Sequence, residues 1–243
     1  MRRVFFPFGN TASACFAKDR RSVFVTGEYE GSIGLFQVDL QTSGISRLAA
    51  ELNDAWILNA VISPDGKTLA SAGRIGDEAE LLTTQLLLID IESGQVRKLG
   101  QPLDTAFISW LPDASGLVLI TRKYPDPNSA SIDTIARMDM DGNVTPIRGG
   151  KMPLVLYPHK RILFRDNEDQ KWKVCDLDGE VVAVIGDGLR DFTTPTASPD
   201  GGRVIMMRQG GSAGPRPHIV DVSTGNSTPI NVGSGFWSFP VWR

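Results

Sequence analysis

Cysteine and histidine are scarce in this chain, with two of each among 243 residues. Cys15 and Cys175 fall far apart in the sequence, in different repeats and on different expected strands. A disulfide between them is therefore not expected. Two unpaired thiols suit a reducing compartment, which gives a cytoplasmic expectation. A His-based zinc site is not expected either, because His159 and His218 fall in separate repeats. No run approaches the roughly 18 apolar residues of a membrane span. There is no basic excess: the net charge is −3. That argues against a general affinity for nucleic acid, which needs clustered Lys and Arg to displace phosphate counterions.

The opening is also short of apolar residues. Met1-Arg2-Arg3 precedes only Val4-Phe5-Phe6-Pro7-Phe8, whereas a secretory signal wants about 7–15. Ala12-Ser13-Ala14-Cys15 has a faint likeness to a lipoprotein cleavage box, but the repeat phase described next puts Cys15 inside a strand. A periplasmic location would be expected only if this start is incomplete.

What the chain does have is a pattern that comes round five times. A strand ends in Asp and a tight turn holding Gly follows. The copies are Val38-Asp39 with Gly44, Ile89-Asp90 with Gly94, Met138-Asp139 with Gly142, Cys175-Asp176 with Gly179, and Val220-Asp221 with Gly225. The Asp-to-Asp steps are 51, 49, 37 and 45 residues. An all-strand repeat of roughly 40–50 residues is the signature of a β-propeller. A second turn precedes each Asp: Ala17-Lys18-Asp19-Arg20, Ser63-Pro64-Asp65-Gly66, Leu111-Pro112-Asp113-Ala114, Tyr157-Pro158-His159-Lys160 and Ser198-Pro199-Asp200-Gly201. Pro presets φ, while Asp and Gly supply a local side-chain bond and backbone freedom.

The fold class expected is all-β, a propeller of four-stranded antiparallel blades in one domain over 1–243. The blades run approximately 11–52, 53–102, 103–151, 152–188 and 189–235, with an extra closing strand at 236–243. In the second blade, strand A is Leu58 to Ile62, B is Thr68 to Ala72, C is Gln85 to Asp90 and D is Val96 to Leu99. Leu86-Leu87-Leu88-Ile89 is apolar without alternation, as expected of a strand buried on both faces. The best helical candidate is Gly76 to Leu82, which reads equally as an irregular loop between strands B and C.

Closure has two readings: a five-blade ring, or an incomplete sixth blade shared by the chain ends. A blade face of four strands covers about 320 Å². An open ring would expose two faces, about 650 Å², at a cost of about 16 kcal/mol as an upper bound. Net stabilities are only about 5–15 kcal/mol. A closed five-blade ring is preferred, with a fragment of a longer propeller as the rival.

Ser63-Pro64-Asp65-Gly66-Lys67, then Leu69-Ala70-Ser71-Ala72-Gly73-Arg74, then Leu88-Ile89-Asp90 and Gly94, resemble the TolB-type, WD-like propeller repeat. Ser198-Pro199-Asp200-Gly201 with Asp221 and Gly225 matches nearly as well. The third unit keeps Pro112-Asp113, Thr121-Arg122 and Asp139, and the first and fourth match mainly through Asp and Gly. The resemblance covers most of residues 11–243. It implies a fold shared by periplasmic scaffold proteins, the gating propellers of serine peptidases and sugar-active lyases, so it does not imply one activity.

Several candidate sites follow. Arg74, Arg122, Arg165 and Arg208 stand at or just past the end of strand B. Propeller topology puts the B–C and D–A loops on one rim, where an Arg cluster would hold a carboxylate, a phosphate or an acidic partner. Blade-to-blade hydrogen bonding is the competing and preferred reading. The same rim carries carboxylates, Glu28, Asp104, Asp126, Asp133, Asp166, Glu168 and Asp169 among them, which read first as solvated loop charge and second as acid–base groups. Trp56, Trp110, Trp172, Trp237 and Trp242 read first as core aromatics, and Trp56 and Trp237, which fall near D–A loops, read second as candidate partner anchors. Gly210-Gly211-Ser212-Ala213-Gly214 fits the nucleophile-elbow pattern, but a strand rather than a helix follows, so it reads as a B–C loop. No catalytic residue, metal or cofactor is assigned. The leading expectation is a non-catalytic platform that binds a protein or peptide partner through the B–C and D–A loops. The alternatives are a lyase or hydrolase using rim Arg and carboxylates, and a gating propeller related to those of α/β-hydrolase peptidases.

Overall fold

The computed structural model describes residues 7–52, 56–74, 84–105, 107–126, 129–185, 195–210 and 214–231. The side chains of residues 11, 12, 56, 74, 208–210, 214 and 215 lie outside that description, as do the helical candidate Gly76 to Leu82 and the expected closing strand.

Five four-stranded sheets make up the described chain, each pairing its strands in sequence order. Blade 1 is β1 (Gly9–Phe16), β2 (Ser22–Tyr29), β3 (Ser32–Asp39) and β4 (Ile45–Leu48). Blade 2 is β5 (Trp56–Ile62), β6 (Thr68–Arg74), β7 (Thr84–Asp90) and β8 (Val96–Leu103). Blade 3 is β9 (Ile108–Trp110), β10 (Gly116–Lys123), β11 (Ile132–Asp139) and β12 (Val144–Gly149). Blade 4 is β13 (Lys151–Leu156), β14 (Arg161–Arg165), β15 (Trp172–Cys175) and β16 (Val181–Ile185). Blade 5 is β17 (Thr196–Ala197), β18 (Arg203–Gly210), β19 (Gly214–Asp221) and β20 (Ser227–Pro229). All pairings are antiparallel. The expected β-propeller architecture is what the molecule has. Among the described residues the one helical element is a single 3₁₀ turn at Ala50–Leu52.

The repeated Asp does what its chemistry suggests. Asp39 Oδ1 accepts the amides of Gln41 and Thr42, and Asp176 Oδ1 accepts those of Asp178 and Glu180. Asp90, Asp139 and Asp221 bond their C–D turns in the same way. The turn then needs a left-handed residue, and Gly94, Gly142, Gly179 and Gly225 all have φ of 71 to 89°. Blade 1 differs: Ser43, at φ 63°, takes that conformation one residue before Gly44. The A–B turns are just as regular. Arg20, Gly66, Ala114, Lys160 and Gly201 occupy the same left-handed position. Gly201 is doubly constrained, because a Cβ there would lie 2.0 Å from the Tyr157 carbonyl oxygen of the preceding blade.

Middle strands bury both faces because they sit between two blades. Leu86, Leu87 and Ile89 are fully buried and Leu88 is nearly so. Leu69, Leu87 and Ile89 pack with Phe24 and Leu35 of blade 1. Ala70, Leu86 and Leu88 pack the other way, with Trp110, Leu117 and Leu119 of blade 3. Val118, Ile135, Ile162 and Phe164 join blades 3 and 4. Leu163, Trp172, Val204 and Val220 join blades 4 and 5. The outer face of blade 1 buries Val23, Val25 and Val38 in a separate cluster capped by Phe8. Polar ties cross the same seams: Trp110 Nε1 donates to Val61 O (3.0 Å) and Tyr157 Oη to Trp110 O (2.8 Å).

The turn aspartates make acid stability a clean readout. Hydrogen bonds from Ser223 and from the Thr224 amide hold Asp221 down at about 2, against an ordinary 3.8. A depressed carboxylate pKa stabilises the fold above the unfolded value, and that contribution is lost as pH falls through the folded one. The urea midpoint should therefore fall between about pH 4 and pH 2. In Asp221→Asn the fall over that window should be smaller, and equal slopes would show that the turn is uncoupled from folding.

Candidate functional site

The B–C and D–A connections meet where expected, and the junction of blades 2, 3 and 4 shows how. Arg122 sits near the end of β10, cross-strand from Asp133 at the start of β11. Its Nε lies 3.3 Å from Asp133 Oδ1 and its Nη1 lies 3.5 Å from Asp104 Oδ1, in the connection between blades 2 and 3. Its amide also donates to Asp104 O (3.3 Å). Asp133 is buried and accepts from the Ser131 hydroxyl (2.9 Å). Its carbonyl accepts from Asn167 Nδ2 (2.8 Å) in the B–C turn of blade 4.

Blade 4 supplies a second charged knot. Asp166 Oδ1 accepts the Glu168 amide at 2.9 Å, and its Oδ2 lies 3.2 Å from Lys173 Nζ and 3.4 Å from Arg148 Nη2. Burial pushes Asp166 up, but the Glu168 amide, Lys173 and the Asp169 amide outweigh it and hold the carboxyl below its usual range. Asp169 in turn raises Lys173 against partial desolvation. Arg148 reaches from β12 across the seam, with its guanidinium 4.8 Å from the Phe164 ring centre and Nη1 donating to Gly179 O (2.6 Å).

Of the sequence candidates, the structure brings Arg122 and Arg165 to this rim. Arg122 is clamped between two carboxylates, and Arg165 Nε donates to Gln170 O (3.1 Å) in its own turn. Arg74, Arg208 and Trp56 lie on β6, β18 and β5, with side chains outside the described residues, and Trp237 lies wholly outside them. Trp110 and Trp172 are core. Strand β18 ends at Gly210 and strand β19 begins at Gly214, cross-strand from each other, so the Gly-rich run joins strands B and C. His159 is in an A–B turn and His218 on β19. Among the described residues no group of three or more His, Cys, Asp or Glu could hold a metal ion. No helix of the described chain is long and apolar enough to cross a membrane. Burial pushes the Cys15 thiol up to about 12 and Cys175 to about 11, so both are poor nucleophiles at neutral pH.

Sequence reasoning missed Arg148, which acts across a blade seam, and Lys173, which pairs with Asp166 and Asp169 within blade 4. It also missed the exposed pair at the rim of blade 3. Tyr124 (40% exposed) and Ile132 (55%) flank its B–C loop. Desolvation and the charge of Asp104 raise the Tyr124 hydroxyl above its ordinary value.

Removing Arg122 leaves the buried Asp133 carboxylate with fewer partners. Arg122→Ala should therefore cost about 1–3 kcal/mol in urea unfolding. Arg122→Leu combined with Asp133→Asn should recover part of that loss. An unchanged midpoint in Arg122→Ala would show that the clamp is not structural.

No protein-family model matches the sequence, and no curated protein matches it. Solved structures do. The chain is similar to a putative TolB from Agrobacterium tumefaciens (18% identity, TM-score 0.70), over 92% of this chain and 81% of that one. It is similar to TolB from Acinetobacter baumannii (17%, TM-score 0.68), over 89% of this chain and 53% of that one. An oligogalacturonate lyase solved with manganese also matches (18%, TM-score 0.65), over 91% and 65%. The chain thus spans about half the length of the Acinetobacter protein and just under two thirds of the lyase. At these identities the likeness is one of architecture, and the chain is a five-blade β-propeller with the fold of the TolB-type propellers.

Proposed function

We propose that this propeller is a binding platform that takes a protein or peptide partner on the rim of B–C and D–A loops. The observation that carries the reading is the pairing of two exposed apolar side chains, Tyr124 and Ile132, with a rigid charged base. Arg122, Asp104, Asp133 and Asn167 tie three connections together beside Tyr124. A preorganised base with an exposed aromatic and an aliphatic anchor is what a partner hot spot requires. The TolB-type architecture is consistent with a scaffold role. Free Cys15 and Cys175 support a reducing compartment.

A second reading draws on one specific feature. Arg122 lies within 3.5 Å of two carboxylates, Asp104 and Asp133. In a sugar lyase such a triad would bind a uronate carboxylate and accept a proton. The platform reading is preferred because Arg122 already has both carboxylates as partners and Asp133 is buried.

Affinity capture with Tyr124→Ala plus Ile132→Ser distinguishes the two. The platform reading expects partners captured by the wild-type chain to be lost with this variant while its urea midpoint is unchanged. Retention of those partners contradicts it. Formation of unsaturated product from oligogalacturonate, abolished by Asp133→Asn, would establish the lyase reading instead.

A further inference from the structure

We propose that β16, the outer strand of blade 4, is a strand-addition site for an extended apolar segment of a partner protein that carries Lys or Arg at one end. The site is on the perimeter of the wheel, separate from the loop rim, and does not depend on the rim's function.

Strand order leaves the outer edges of β4, β8, β12, β16 and β20 unpaired within their sheets. Unpaired edges template intermolecular pairing unless charge or Pro blunts them. Four of the five carry such a group; β16 does not, and its only irregularity is a register shift at its entry end, between the Val174–Ala183 and Cys175–Val181 pairs. Strand β4 carries Arg47, β8 carries Arg97, Lys98 and Pro102, β12 carries Pro146 and Arg148, and β20 ends in Pro229. Strand β16 reads Val181-Val182-Ala183-Val184-Ile185, with neither charge nor Pro. Val181, Val182 and Val184 are 40, 47 and 55% exposed.

The strand is also held in place. Ile185 is buried and Ala183 packs with it in the core between blades 4 and 5. The ladder pairs Trp172 with Ile185, Lys173 with Val184 and Val174 with Ala183. A fixed edge with exposed alternate side chains has the two elements of strand addition: main-chain groups for affinity and side-chain contacts for selectivity.

Charge decides the occupant. Asp178 and Glu180 lead into the strand, and both are exposed and without an ion-pair partner among the described residues. Asp176 is committed to the turn, accepting both their amides. Arg148 reaches the same turn, donating to Gly179 O, so the entry end sets Asp176, Asp178 and Glu180 against one guanidinium and is net acidic, while the rest of the edge is apolar. A segment of alternating Val, Ile or Thr with Lys or Arg beside it is complementary on both counts. A second copy fits less well, because its own β16 and the lead-in from Asp178 bring further carboxylates and no Lys or Arg to meet Asp178 and Glu180.

The test uses the whole chain and a labelled synthetic peptide, Lys-Lys-Val-Thr-Val-Ile-Val-Thr, read by fluorescence anisotropy. Saturable binding is expected, with hydrogen-exchange protection appearing in β16. Val184→Lys should weaken it by about tenfold or more, as loss of one buried Val contact and an added like charge imply. Glu180→Lys should weaken binding of this peptide and strengthen binding of the same peptide with Glu in place of Lys. These substitutions are at exposed positions, and the exchange map of the wild-type chain stands without them. Absence of binding, equal affinity in Val184→Lys, or protection away from β16 would overturn the proposal. So would self-association through β16 that Val184→Lys abolishes.

Discussion

The whole structure rests on one requirement: each blade has two apolar faces that must be kept dry, and at the four seams between consecutive blades the next sheet is the cover. Phe24 and Leu35 of blade 1 are buried because Leu69, Leu87 and Ile89 of blade 2 cover them. Leu86 and Leu88, on the opposite face of the same strand, are buried because blade 3 covers them. No blade could keep Leu86–Ile89 dry alone, since a single sheet has water on at least one side. Turn chemistry serves this requirement. Five aspartates fix five C–D turns, which sets the register of the outer strands and keeps the blades alike enough to stack.

Much of this was legible before the structure because it is local. An Asx turn involves an Asp and amides two to four residues on, so it shows in sequence as Asp followed by a turn residue. The apolar run at Leu86–Ile89 announced burial on both faces. Strand limits were less legible. Strand β8 runs to Leu103, past the expected end at Leu99, and β5 begins at Trp56 rather than Leu58. Strand ends depend on pairing with a neighbour, which the residues themselves do not record. Ser43 in place of Gly44 has the same origin, because a one-residue shift in turn geometry leaves the composition unchanged.

The rim was legible only in outline. That Arg122 stands at the end of a B strand could be read from the repeat. That it sits between Asp104 and Asp133 could not, because Asp104 belongs to the preceding connection and Asp133 depends on hairpin register. Arg148 was invisible for the same reason: its partners Asp166 and Gly179 belong to the next blade. These contacts recast the rim. The described Arg side chains there brace the loops, and exposed apolar surface among the described residues includes Tyr124 and Ile132 at the rim and the valines of β16 at the perimeter.

Native-state hydrogen exchange tests the central requirement most directly. If neighbouring blades keep one another dry, the middle-strand amides of all five blades should open together. Their free energies should lie within about 1 kcal/mol of global unfolding. A blade whose middle strands exchange several kcal/mol below the rest, with the others still protected, would contradict mutual coverage as the source of the fold's stability.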